Sequence, residues 1–291
     1  MSRRYYHRQA DDLLPRNVKR VLIVLFAIAI AAPVAYLLVL SVTPNALIGA
    51  GSIVPSRLKF SNYSSMWTVV PLGRGLLNSL GIGAVASAIG VVVGMAAGYV
   101  LARFTFLGRR PFLVSLVGLQ TVPGVMILLP LYVVFAYAQN RIGLPLIGTY
   151  PAVIITYLTF SIPFGTWVLY SYISNIPREL EEAALVDGAG RLGALIRIVV
   201  PIAGPGMIVA FTFSFLGAWN DVLFSSVLTN TDTRTLAVML QAFANTQAGT
   251  SLPLYGQLMA AAVLSAAPVV AVYMLLQRYL VGGALAGGLK G

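Results

Sequence analysis

Cysteine is absent from the 291 residues, and His7 is the only histidine. No disulfide, thiolate nucleophile or cysteine-based metal site is therefore available. His7 sits in a basic tail, which excludes a catalytic or metal-binding histidine within the apolar segments. Charge is scarce: 9% of residues are charged, against roughly 25% in soluble domains. Acids are scarcer still, eight in all. A phosphate-binding loop, GxxxxGK[ST], is also missing. The nearest approach, the glycine-rich end of the chain, puts Leu289 before Lys290 and then stops at Gly291. No nucleotide, cofactor or metal site is expected in this chain, and no hydrolysis of ATP by it alone.

What fills the chain is apolar: 58% of residues are hydrophobic and the mean hydropathy is +0.87. This is the composition of an integral membrane protein, with room for about six spans of roughly 20 residues. The expected fold is all-α and polytopic, with spans at about 21–43, 76–103, 111–138, 150–173, 203–228 and 256–280. A basic tail at 1–17 precedes a transmembrane domain at 18–281, and 282–291 forms a closing tail. The first apolar run is too long for a signal-peptide core and reads as a retained anchor. Gly83, Gly90, Gly94 and Gly98 recur at spacings of four or seven, which predicts close packing of the second span on another. Pro123 and Pro130 in the third span and Pro163 in the fourth predict kinks.

The formal charge of +11 does not call for nucleic acid, because the basic residues cluster in loops. With the N-terminus inside, 14 of the 19 Lys and Arg fall on cytoplasmic segments and five on outer ones. The positive-inside rule selects that orientation, with both termini cytoplasmic.

One polar insertion interrupts the apolar pattern, from Pro177 to Pro201, between the fourth and fifth spans. It holds half of the acids: Glu179, Glu181, Glu182 and Asp187. Pro177 suits a first helical position, and acids in the first turns favour the positive end of a helix dipole. Leu180, Ala183, Ala184 and Asp187 follow helical spacing and share one mostly small face. Gly188 and Gly190 are expected to stop this helix. Leu192, Leu195, Ile196 and Val199 predict a second helix with one apolar stripe, closed by Pro201.

Glu182-Ala183-Ala184, three residues, Gly188, nine residues, then Ile198 and Pro201 resembles the EAA loop of ATP-binding cassette (ABC) importer permeases. Val200 stands where that pattern has Leu. Asp187-Gly188, the run Ala218-Trp219-Asn220-Asp221 and the closing run Gly282-Gly283 to Lys290-Gly291 resemble the sugar-importer branch, of the maltose-permease type, over nearly the whole chain. The resemblance implies a permease subunit with no enzymatic activity of its own. It implies a second similar permease, two cytoplasmic ATPase subunits carrying ATP and magnesium, and an extracytoplasmic solute-binding protein that meets the polar segment at about 229–254. It implies that Leu180, Glu182, Ala183, Ala184, Asp187, Gly188 and Arg191 lie at the ATPase joint, and that Lys290 and Gly291 reach between the ATPases.

Asp221 is the acid at membrane depth. It is expected either to line a polar path with Asn220 or to cap a broken helix; Asp at a bilayer centre costs about 2.5–3.5 kcal/mol on insertion scales. Tyr157, Trp167 and Trp219 are candidates for stacking on a sugar, and Gln120 for lining a cavity. A stand-alone secondary carrier is the rival reading, disfavoured by the scarcity of intramembrane charge and by the polar helix pair between spans. A permease for a non-sugar solute is another, and the EAA spacing does not separate it.

Overall fold

The computed structural model of the chain describes residues 15–52, 54–247, 250 and 253–288. Their ordered elements are helices, as lipid demands: with no water to satisfy it, spanning backbone must bond within its own segment. The helices are α1 (Arg16–Ser41), α2 (Asn45–Gly49), α3 (Asn62–Val69), α4 (Leu72–Arg103), α5 (Arg109–Thr121), α6 (Gly124–Ile142) and α7 (Tyr150–Ser174). The remainder are α8 (Glu179–Val186), α9 (Arg191–Ile202), α10 (Gly204–Asn220), α11 (Leu223–Leu228), α12 (Leu236–Gln247) and α13 (Tyr255–Gly288). Among the described residues, five helices (α1, α4, α6, α7 and α13) are long and apolar enough to span. The bent pair α9 and α10 makes a sixth if counted as one span.

Two compact units divide the chain. The first comprises residues 1–69 and 246–264. Its α1 exposes side chains along almost its entire length, Val21 to Leu38 included. Beyond α1 the unit is knotted by polar groups. The fully buried Asn62 donates from Nδ2 to the carbonyls of Ser41 and Thr43, both at 3.0 Å. Asn45 accepts from the Gly256 amide at 2.8 Å and donates to Gln257 at 3.0 Å. A Cβ at Gly256 would fall 2.4 Å from Asn62 Nδ2, so only glycine lets the start of α13 approach.

The second unit, residues 70–245 and 265–291, is built on α4 against α7. The glycine stripe does what its spacing predicts. A Cβ on Gly94 would sit 2.8 Å from the Gly165 carbonyl carbon, and one on Gly98 2.8 Å from the Tyr170 amide nitrogen. Backbone thus meets backbone at two points about one helical turn apart, the close approach that small residues permit in lipid. Gly83 faces Phe215 of α10 instead, and α10 completes the layer through Ala210 and Phe215, both buried.

Two spans differ from expectation. The stretch 111–138 is not one helix: α5 ends at Thr121 and α6 begins after Pro123. Proline lacks the amide that would continue the ladder, whereas Pro130 and Pro163 are absorbed within α6 and α7. The stretch 203–228 is likewise split into α10 and α11 at Asp221. The last helix runs on through Gly288, past the expected boundary at 281. Part of the outer polar segment 229–254 is also helical, as α12.

Candidate functional site

Glu179, Glu181 and Glu182 do occupy the first turn of α8, which begins two residues after Pro177. The helix ends as its glycine dictates. Gly188 takes φ +86°, its amide bonds to Leu185 O at 3.1 Å, and the Ala189 amide bonds to Ala184 O at 2.9 Å. This pair of bonds is a Schellman cap, which needs a left-handed residue at the position Gly188 holds.

The surface of α8 is divided. Leu180, Glu182, Ala183 and Asp187 are exposed, and Ala184 is half-buried. Leu185 and Val186 are exposed as well, Val186 at 86%. Glu181 alone of the helix turns inward and is buried. Its carboxylate forms an ion pair with Arg103 at the end of α4 and accepts from the Tyr99 hydroxyl at 3.0 Å. Arg103 also donates to Ile176 O at 3.1 Å. Both charged side chains are over nine-tenths buried. Such a pair is weak evidence for added stability, but breaking it by removing one member is costly. Its structural effect is to tie α8 to a membrane-spanning helix at one point.

The second helix of the insertion corrects two expectations. Pro201 does not close it; α9 continues to Ile202 and the chain bends by 71° into α10. The predicted stripe also fails: Leu192 and Ile196 are exposed at 68% and 56%, while Ala194 and Val199 are buried. Ala194 and Val199 are five apart because Leu195–Val199 is a π turn, which adds a residue per turn and shifts the buried face out of 3.6 register. Arg191 is braced with its guanidinium 5.2 Å from the Phe104 ring centre.

A cavity of about 430 Å³ opens among α5, α7 and α10, within the range of small-molecule sites. Phe160, Phe164, Phe213 and Phe224 line it with Tyr157, and Gln120, Thr159, Ser214 and Asp221 add polar groups. Both broken spans meet here, α5 and α6 through Leu119 and Gly124, α10 and α11 through Ala218 and Phe224. Irregular backbone at membrane depth is tolerated where it is buried or lines a cavity, and discontinuous helices commonly frame transporter binding sites.

The structure divides the weaker candidates. Tyr157 and Gln120 line the cavity, although Gln120 also donates to Leu116 O at 3.2 Å. Asp221 touches it with its carboxylate already engaged. Oδ2 accepts from the Tyr157 hydroxyl, the Ser225 amide and the Ser225 hydroxyl, each at 2.9 Å, and Oδ1 from the Phe224 amide at 3.2 Å. The carboxylate thus caps the start of α11 while also lining the cavity. Trp219 is buried against Phe215, with ring centres 5.7 Å apart, and is not in the cavity lining. Asn220 is exposed and bonds back to Leu216 O, and it too is outside the lining. Lys290 and Gly291 lie outside the described residues. Arg103 and Tyr99 were missed from sequence, because nothing local connects the end of one span to a glutamate so far along the chain.

A family model described as "Binding-protein-dependent transport system inner membrane component" matches residues 90–284. The diacetylchitobiose uptake system permease protein NgcG of Streptomyces coelicolor is 34% identical over 93% of this chain and 87% of its own length. The trehalose transport system permease protein SugB of Mycobacterium tuberculosis is 31% identical over 89% of this chain and 92% of its own. Among solved structures, a chain of a bacterial ABC transporter involved in the import of the acidic polysaccharide alginate superposes with a TM-score of 0.72. That match covers 92% of this chain and 99% of the other. At 23% identity it is a likeness of fold.

Proposed function

The chain belongs to the family of binding-protein-dependent transport system inner membrane components, and from that membership we propose that it is the translocating permease subunit of an ATP-driven sugar importer. The observation that carries the mechanism is α8, exposed on one face and tied by Glu181 to Arg103 on the other.

In this reading α8 and α9 lie on the cytoplasmic side, as the distribution of basic residues favours. A soluble ATPase subunit covers Leu180, Leu185, Val186, Leu192 and Ile196, apolar side chains otherwise left in water, and meets Glu182 and Asp187. ATP and magnesium reside on that partner. Its closure displaces α8, and the displacement passes through Glu181 and Arg103 to α4. Because α4 and α7 touch backbone to backbone at Gly94 and Gly98, the pair moves as one body, in the manner of rigid-body switching. The cavity beside α7 then opens to alternate sides.

A second, similar permease subunit completes the path, and an extracytoplasmic binding protein delivers solute to the outer segment. The sugar assignment rests on the names of the relatives and on a cavity rich in aromatic faces with few polar groups.

The test is binding-protein-stimulated ATP hydrolysis by the assembled importer in proteoliposomes. Gly188→Pro, which cannot hold φ +86°, is expected to insert normally and to lower the stimulation. Unchanged stimulation would count against the coupling role. Gradient-driven sugar uptake by this chain without the ATPases would overturn the reading as a whole.

A further inference from the structure

A second cleft, of about 570 Å³, lies beside the root of α8 and is unlike the first in being polar. Arg103, Arg109 and Arg178 line it with Tyr170 and Asn175, and Glu179 is the carboxylate in the lining. The arginines are held in place by one edge each. Arg109 donates from Nε to Leu101 O at 2.7 Å and lies over the Tyr170 ring at 5.8 Å. Arg178 reaches Ala102 O at 3.4 Å. Arg103 is matched by Glu181. A guanidinium carries five N–H donors, so Arg109 and Arg178 keep most of theirs for something else.

The position of the cleft limits what that something is. The 32-residue α4 is about 48 Å long at 1.5 Å per residue. A bilayer with its headgroups is about 40–45 Å thick, so a helix of this length centred in it ends at or just beyond the headgroups. The adjoining loop turns apolar side chains outward: Phe106 is 46% exposed, Leu107 104% and, just inside α5, Phe112 47%. Arg109 and Arg110 open α5, whose first turn has no acid and no side-chain cap. Apolar side chains that can enter the acyl region, next to guanidinium groups at headgroup depth, form the pattern of an interfacial lipid contact. A site for a soluble anion has no need of the apolar rim.

We propose that this cleft binds the phosphate headgroup of an acidic phospholipid, held by Arg109 and Arg178, at the junction of α4, α7 and α8. Arg103 is already neutralised by Glu181, and Glu179 offsets one of the two remaining guanidinium charges, which leaves the lining with one net positive charge. The lipid touches the same segment as the proposed ATPase joint, so membrane composition has a direct route to it.

The experiment uses the assembled importer in nanodiscs of equimolar phosphatidylglycerol and phosphatidylcholine, released into detergent and weighed by native mass spectrometry. The wild type is expected to retain phosphatidylglycerol preferentially. The Arg109→Gln/Arg178→Gln variant is expected to lose that preference by about fivefold per arginine. Equal retention of the two lipids by the wild type, or an unchanged preference in the variant, would overturn the proposal. Should the variant not assemble, phenylglyoxal labelling of Arg109 and Arg178 in the wild type decides. Protection by phosphatidylglycerol vesicles but not by phosphatidylcholine supports the site. Equal protection by inorganic phosphate alone would make it a site for a soluble anion and refute the lipid.

Discussion

Glu181 and Glu182 are neighbours in sequence with opposite surroundings, and they allow a sharp test of how α8 is held. Replacing Glu181 by Gln keeps the shape and leaves an acceptor for the Tyr99 hydroxyl, but strands the Arg103 guanidinium with both side chains over nine-tenths buried. Removing one partner of a buried pair costs about 3–5 kcal/mol. If α8 bears most of that loss, at about 1.4 kcal/mol per tenfold, the undocked helix gains at least a hundredfold in population. Hydrogen exchange of the 180–187 amides in the detergent-solubilised chain reads this directly, since local opening exposes them. Glu182→Gln, at an exposed site, is expected to stay within about 0.5 kcal/mol of wild type. The paired change Glu181→Leu with Arg103→Met removes both charges and is expected to recover most of the loss, because no buried charge is left over. Equal exchange in the two glutamine variants, or simple additivity in the Glu181/Arg103 cycle, would refute the tether.

The glycine stripe and the Asp221 cap offer two further tests. Gly94→Ala sets a Cβ 2.8 Å from backbone that has no room to yield, and should cost about 1–3 kcal/mol in a denaturant titration. Gly118→Ala, with nothing within 4 Å, should be neutral or stabilising by up to about 1 kcal/mol. Asp221→Ala removes the acceptors of the Phe224 and Ser225 amides at the start of α11 and should cost about 2 kcal/mol, with Asp221→Asn intermediate because one carbonyl oxygen remains. A stable Asn variant with abolished transport would point instead to a carboxylate that works by its charge.

Much of the 177–201 insertion was legible because its signals are local. Gly188 ends α8 through its own backbone freedom, and the acids of the first turn answer the helix dipole within a few residues. The second span showed its interface in advance because a repeat of small residues has few uses in lipid other than close packing. The failures have physical reasons too. The stripe on Leu192, Leu195, Ile196 and Val199 assumed a period of 3.6, and the π turn at 195–199 breaks that period without a distinctive residue. Pro130 and Pro163 pass through their helices while Pro123 does not, since neighbouring segments decide whether the freed carbonyls are satisfied.

Composition and pattern alone determined that this chain lives in a membrane, where most of its spans fall, and which segment between two spans is polar. These follow from free energies that each residue carries by itself: transfer to lipid, helix capping, glycine's freedom at positive φ. Only the tertiary structure decided that Glu181 rather than Glu182 faces inward, that Asp221 is a cap, and that Arg109 and Arg178 share a cleft. Those outcomes depend on which distant groups arrive within 3 or 4 Å, and that is a property of packing, which the order of residues does not display.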